Sequence, residues 1–152
     1  MNDPRIEITA EQVTEFLAGG RPTTANDIAE HYADAEYSSH YMGRASFLNQ
    51  HVQMTSLKRL LDPMLEQGVI FRFRGEEMAD RPYGGSPSAW YYTTPEGMER
   101  ELRDRASVAE GRAMRIARDK AVAQVTAKYR QEIAELTALL YSQGNLLYPQ
   151  KK

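Results

Sequence analysis

The chain has no cysteine, which excludes disulfides, thiolate metal ligation and a cysteine nucleophile. No apolar run approaches the roughly 20 residues needed to cross a bilayer. The opening residues, MNDPRIEITAEQ, lack a basic stretch followed by an apolar one, so no secretory signal is expected. Gly19-Gly20 and Gly84-Gly85 lack the surrounding residues of a P-loop or dinucleotide fingerprint. No nucleophile–base grouping stands out, so no enzyme is expected. His31, His40 and His51, taken with Asp34 or Glu36, match no metal-ligand spacing, and surface or core-edge roles are expected for them. Together these absences lead one to expect a cytoplasmic protein with no cofactor, no metal and no membrane contact.

What remains is an ordinary globular composition, 41% hydrophobic and 26% charged, long enough for one core and one additional long element. The net charge of −2 is unevenly spread. Residues 1–97 carry 8 Lys/Arg against 14 Asp/Glu, or −6. Residues 98–152 carry 11 against 7, or +4.

Residues 1–8 read as an extended arm. Thr9 and Gln12 have the spacing of a capping box for a first helix, with Val13, Phe16 and Leu17 on its apolar side. Gly19-Gly20 ends that helix, and Thr23 or Thr24 caps a second over roughly 24–33, with Ile28, Ala29 and Tyr32 inward. A loop is expected from Asp34 to about Gly43. One helix is then expected from about Arg44 to Gln67, with Leu57, Leu60, Leu61, Met64 and Leu65 as its core stripe and Gly68 as its left-handed cap. Pro63 predicts a kink near residues 59–63. Val69–Arg74 and Ala89–Thr93 alternate as an antiparallel pair around a polar connection, residues 75–88. Thr94 and Pro95 start a last helix running to about Ser142, with Gly144 as its stop and 145–152 as a tail.

Two phrases carry a family resemblance. LDPMLEQGVI (Leu61–Ile70) is similar to the end of the recognition helix in regulators of the arsenic-repressor kind. WYYTTPEG (Trp90–Gly97) is similar to the strand-to-helix junction of the multiple-antibiotic-resistance and phenolic-acid regulator kinds. The chain thus resembles the winged helix-turn-helix transcriptional regulators over about residues 9–97. The resemblance implies an α+β, mostly helical fold with a β-hairpin wing. It implies one domain over 1–97 and a dimerisation helix with a short tail over 98–152.

It further implies a homodimeric, sequence-specific binder of double-stranded DNA, most simply a bacterial or phage repressor. The reading surface would be the amino-terminal half of the third helix: Gln50, Gln53, Thr55, Ser56, Lys58 and Arg59. Amides suit adenine, arginine suits guanine, and hydroxyls and lysine suit phosphates. The competing reading is a solvated face opposite a leucine stripe. In the wing, Arg72, Arg74 and Arg81 would meet the DNA backbone or minor groove, or pair with Glu76, Glu77 and Asp80.

On the last helix, Val122, Val125, Tyr129, Ile133, Leu136 and Leu140 form the expected dimer stripe, mixing steps of three and four rather than a strict heptad. Arg112, Arg115, Arg118 and Lys120 form a basic run that reads as the wet side of that helix, or as a track for phosphates or an acidic partner. Tyr32, Tyr37, Tyr41, Tyr83, Trp90, Tyr91 and Tyr92 either pack the core and hairpin or line a pocket for a small-molecule effector. The acidic balance of residues 1–97 supports a different function: a protein-interaction module of a plasmid- or chromosome-maintenance complex, or a phage-encoded host inhibitor.

Overall fold

A computed structural model describes residues 2–33, 43–81 and 84–147 of the chain, with side chains to residue 144. The order is α1 (Ala10–Leu17), β1 (Thr23–Thr24), α2 (Ala25–Tyr32), α3 (Arg44–His51), α4 (Met54–Glu66), β2 (Phe71–Arg74), a 3₁₀ turn (Gly75–Glu77), β3 (Trp90–Thr93) and α5 (Pro95–Leu147). The fold is α+β and mostly helical, with a small antiparallel sheet ordered β1-β3-β2 and a long carboxy-terminal helix. The chain divides into two compact units, Met1–Ala106 and Ser107–Lys152.

Local chemistry starts each short helix. The Thr9 hydroxyl accepts the Gln12 N–H at 3.3 Å while the Gln12 side chain accepts the Thr9 N–H at 2.9 Å. Thr24 and Asp27 repeat this reciprocal cap on α2, at 3.2 and 3.0 Å. Gly20 (φ 71°) and Gly68 (φ 70°) make the left-handed turns after α1 and α4, where a Cβ would be strained. Val13, Leu17, Ile28, Leu48, Leu57, Leu61 and Ile70 meet in the core at 1% exposure or less.

Three sequence expectations are corrected and one is extended. The segment from Arg44 to Gln67 is two helices, not one: Val52 is extended (φ −126°, ψ 143°) and Gln53 leaves helical geometry (φ −75°, ψ 74°). The reason is phase. Leu48 precedes Leu57 by nine residues, about 900° of helix, so one continuous helix would turn them to opposite sides. Both are buried, and the break lets both face the core. Pro63 lies inside α4, which continues to Glu66.

Second, the amino-terminal arm, expected as an extended segment, is also paired: Ile6 forms a parallel bridge with Val52, and Ile8 is buried. Third, Gly144 does not stop α5, which runs to Leu147; an interior glycine costs only about 1 kcal/mol against alanine. Fourth, the strands are shorter than expected, and a two-residue third strand, β1, completes the sheet. The expected loop 34–42 lies outside the described residues.

The first turns of α5 are tied to the hairpin. Buried Glu101 accepts the Ala79 N–H at 2.8 Å and the Arg105 Nε–H at 3.0 Å, and the Arg105 guanidinium lies 4.7 Å from the centre of the Phe73 ring. Behind them, the buried Thr93 hydroxyl donates to the Gly20 carbonyl at 3.1 Å, closing the sheet onto the end of α1.

Candidate nucleic-acid interface

One side of α4 is apolar and the other is charged. Met54, Leu57, Leu61 and Met64 are buried. Thr55, Lys58, Arg59 and Asp62, at i, i+3, i+4 and i+7, share the opposite face. The sheet supplies the facing wall. Its register pairs Arg72 with Tyr92 and Arg74 with Trp90, which puts these four side chains on one face. Phe73 and Tyr91, paired with each other, are buried on the other.

Both arginines use the only tryptophan of the chain as a platform. The Arg72 guanidinium lies 4.1 Å and the Arg74 guanidinium 3.8 Å from the centre of a Trp90 ring. Guanidinium over indole is favourable because the ring face carries negative quadrupole.

Between the two walls runs a groove of about 500 Å³, lined by Thr55, Lys58, Arg59, Asp62, Arg72 and Trp90 among others. Its floor includes Thr24 and Asn26 at the amino end of α2. Three cations face a single carboxylate here, opposite in sign to the −6 of residues 1–97. Among the described residues, none of the three cations is in an ion pair.

Of the nine residues proposed from sequence for DNA contact, the fold brings together Thr55, Lys58, Arg59 and Arg72. Gln50 is on the exposed side of α3. The Gln53 side chain donates to the Arg5 carbonyl at 3.2 Å and accepts from the Ser56 hydroxyl at 3.4 Å, so both residues are engaged away from the groove. Arg74 sits on Trp90 and donates to the Ser88 carbonyl. Arg81 is exposed, at the edge of the described residues. Glu77, a possible ion partner for these arginines, instead accepts the backbone N–H of Arg74 at 2.7 Å.

Sequence reasoning missed Trp90 as a guanidinium platform and Asp62 as a groove wall. Asp62 was legible, seven residues after Thr55 on the same face. The Trp90 role needed the strand register. Arg44 was missed too. It bonds Asp27 at 2.6 Å and Glu30 at 2.7 Å, bracing α3 against α2. Burial pushes the Asp27 carboxyl up, but the bonds from Arg44 and from the Thr24 N–H and hydroxyl outweigh it and hold it below its usual value. Arg44 borders a second groove of about 670 Å³, with Arg21, Phe16 and Tyr91. The two grooves share Thr24, Asn26 and Ala89.

The aromatic residues divide between packing and surface. Tyr91 and Tyr92 are buried, and the Tyr32 hydroxyl donates to the Gln12 carbonyl at 2.9 Å. The His31 ring packs at a tilt against Phe16 and edge-on against Tyr32, and His51 bonds the Phe47 carbonyl at 2.9 Å. His40, Tyr37, Tyr41 and Tyr83 lie outside the described residues.

In the second unit, the stripe Val122, Val125, Tyr129, Ile133, Leu136 and Leu140 is exposed, each residue by 53–67%. Val122 and Ile133, Val125 and Leu136, and Tyr129 and Leu140 each stand eleven residues apart. That period, about 3.67 residues per turn, keeps a stripe almost parallel to the helix axis. No helix among the described residues is long and apolar enough to cross a membrane.

No family model, curated protein or solved structure matches the chain.

Proposed function

We propose that the chain is a winged helix-turn-helix protein that binds double-stranded DNA as a homodimer and regulates transcription, most simply by repression. The groove carries the reading: a helix face bearing Thr55, Lys58 and Arg59 opposite a strand face bearing Arg72, with three cations concentrated in an otherwise acidic domain. The antiparallel hairpin that follows α4 and leads into α5 supports the winged-helix reading. In this reading α4 is the recognition helix, α3 is inserted before it, and the β2–β3 hairpin is the wing. Lys58 and Arg72 meet phosphates, and Arg59 reads a base edge.

The α5 stripe supports the dimer. Six large apolar side chains along one helix are a poor surface to leave in water. A second copy covering that face would set the spacing of two half-sites. The acidic balance of residues 1–97 favours the alternative, a protein-interaction module. The sign of the groove argues against that reading.

The test is a duplex selected from a random pool, titrated by fluorescence anisotropy at several salt concentrations. Arg72→Ala is expected to lower the slope of log K against log salt by about one, the share of one phosphate contact. Arg59→Ala is expected to weaken the selected duplex while leaving random-sequence binding near its original strength. If no duplex is enriched, or neither substitution has an effect, the DNA reading is wrong. A partner bound through apolar surface would show little salt dependence.

A further inference from the structure

We infer that Arg5 and Ile6 are positioning residues for α4, fixing where the helix starts and so which way Thr55, Lys58 and Arg59 point. The consequence for DNA rests on the function proposed above; the placement of the helix does not.

The start of α4 has little local support. Gln53 makes no side-chain cap bond and the first turn has no acidic residue. The break at Val52–Gln53 leaves backbone groups that a continuous helix would pair internally. The arm pairs them instead. The Ile6 N–H donates to the His51 carbonyl at 2.8 Å, and the Gln53 N–H donates to the Ile6 carbonyl at 2.9 Å.

Arg5 adds a clamp on either side of the break. Its Nη1 donates to the Asn49 carbonyl at 3.2 Å, at the carbonyl end of α3 where a cation is favoured. Its own carbonyl accepts the Gln53 side chain, and Asp3 holds the guanidinium at 2.7 Å. Val52 is fully buried and Ile8 nearly so, which anchors both paired segments in the core.

Helical geometry makes this placement matter. Moving the helix start by one residue turns every later side chain by about 100°, enough to carry Lys58 and Arg59 away from Arg72. Among the described residues, none of the arm lines the groove, so the arm acts through α4.

The experiment compares the full chain with a variant lacking residues 2–6 and with Ile6→Pro, which removes the N–H donated to His51. Amide hydrogen exchange at Gln53 and Leu57 is read by NMR. Affinity for the selected duplex is measured against a scrambled one. Both variants are expected to melt cooperatively yet exchange at least about tenfold faster at these two amides. The preference for the selected duplex should fall roughly tenfold, with scrambled binding unchanged. Arg5→Lys, which keeps the cation, should retain more preference than Arg5→Ala.

Unchanged exchange at Gln53 and Leu57 in both variants would overturn the inference. So would loss of cooperative melting in both, because the arm would then be core rather than clamp. If the full chain prefers no duplex, the DNA proposal fails while the exchange measurement still decides the positioning.

Discussion

Gly97 and Gly111 stand on the same helix, and the structure gives substitution by alanine opposite signs at the two positions. A Cβ at Gly97 would overlap the Thr93 hydroxyl and lie 2.5 Å from the Gly20 carbonyl oxygen. A real Cβ does not approach an oxygen that closely, so either the start of α5 or the turn at Gly20 must move. The turn is constrained by its positive φ, and Thr93 is fully buried and bonded to the same carbonyl. Overpacking costs about 1–3 kcal/mol, and leaving a buried hydroxyl without its partner costs about 1–3 more. Gly97→Ala is therefore expected to destabilise the first unit by about 2–6 kcal/mol. For a domain of roughly 100 residues that lowers the melting temperature by at least about 10 °C. A Cβ at Gly111 would meet nothing within 4 Å, and the helix gains up to about 1 kcal/mol from alanine there. Thermal melts of the two variants by circular dichroism make the comparison. If Gly97→Ala melts within about 3 °C of the parent, the close approach to Gly20 is not a constraint and the reasoning is refuted.

Acid should weaken the brace at Arg44. The Asp27 carboxyl is held below its ordinary value, so its contribution is fully present above about pH 4 and is lost as pH falls through the lowered value. Asp27→Asn is expected to flatten the acid limb of urea stability below about pH 4; an unchanged limb would place the acid sensitivity elsewhere. On α5, Leu136→Asp places a charge in the proposed seam of both copies. Burying one leucine contributes about 1.5–3 kcal/mol, so the dimer dissociation constant should rise about a hundredfold or more in sedimentation. A dimer of unchanged affinity would remove this stripe from the interface.

Much of the frame was legible in the sequence because its causes are local. Thr9-Gln12 and Thr24-Asp27 make their caps within four residues. Gly68 turns the chain after α4, and Pro95 opens α5. The break before α4 was legible in principle, since Leu48 and Leu57 are half a turn out of phase, but the polar residues between them hid it. The two threonines of β1 carry no strand periodicity. They form a strand because Tyr91 and Tyr92 lie alongside.

The candidate site divides the same way. Sequence alone determined that α4 has a polar face and that Thr55, Lys58 and Arg59 lie on it, since helical periodicity depends only on spacing. It also determined the eleven-residue stripe of α5, for the same reason. Only the tertiary structure decided that Arg72 stands across from that face with its guanidinium on Trp90, that Gln53 is engaged by Arg5, and that three cations gather in a domain of net negative charge. Strand register, the docking of an arm some fifty residues distant, and the sign of a local surface all depend on which remote residues become neighbours, and that is settled by packing.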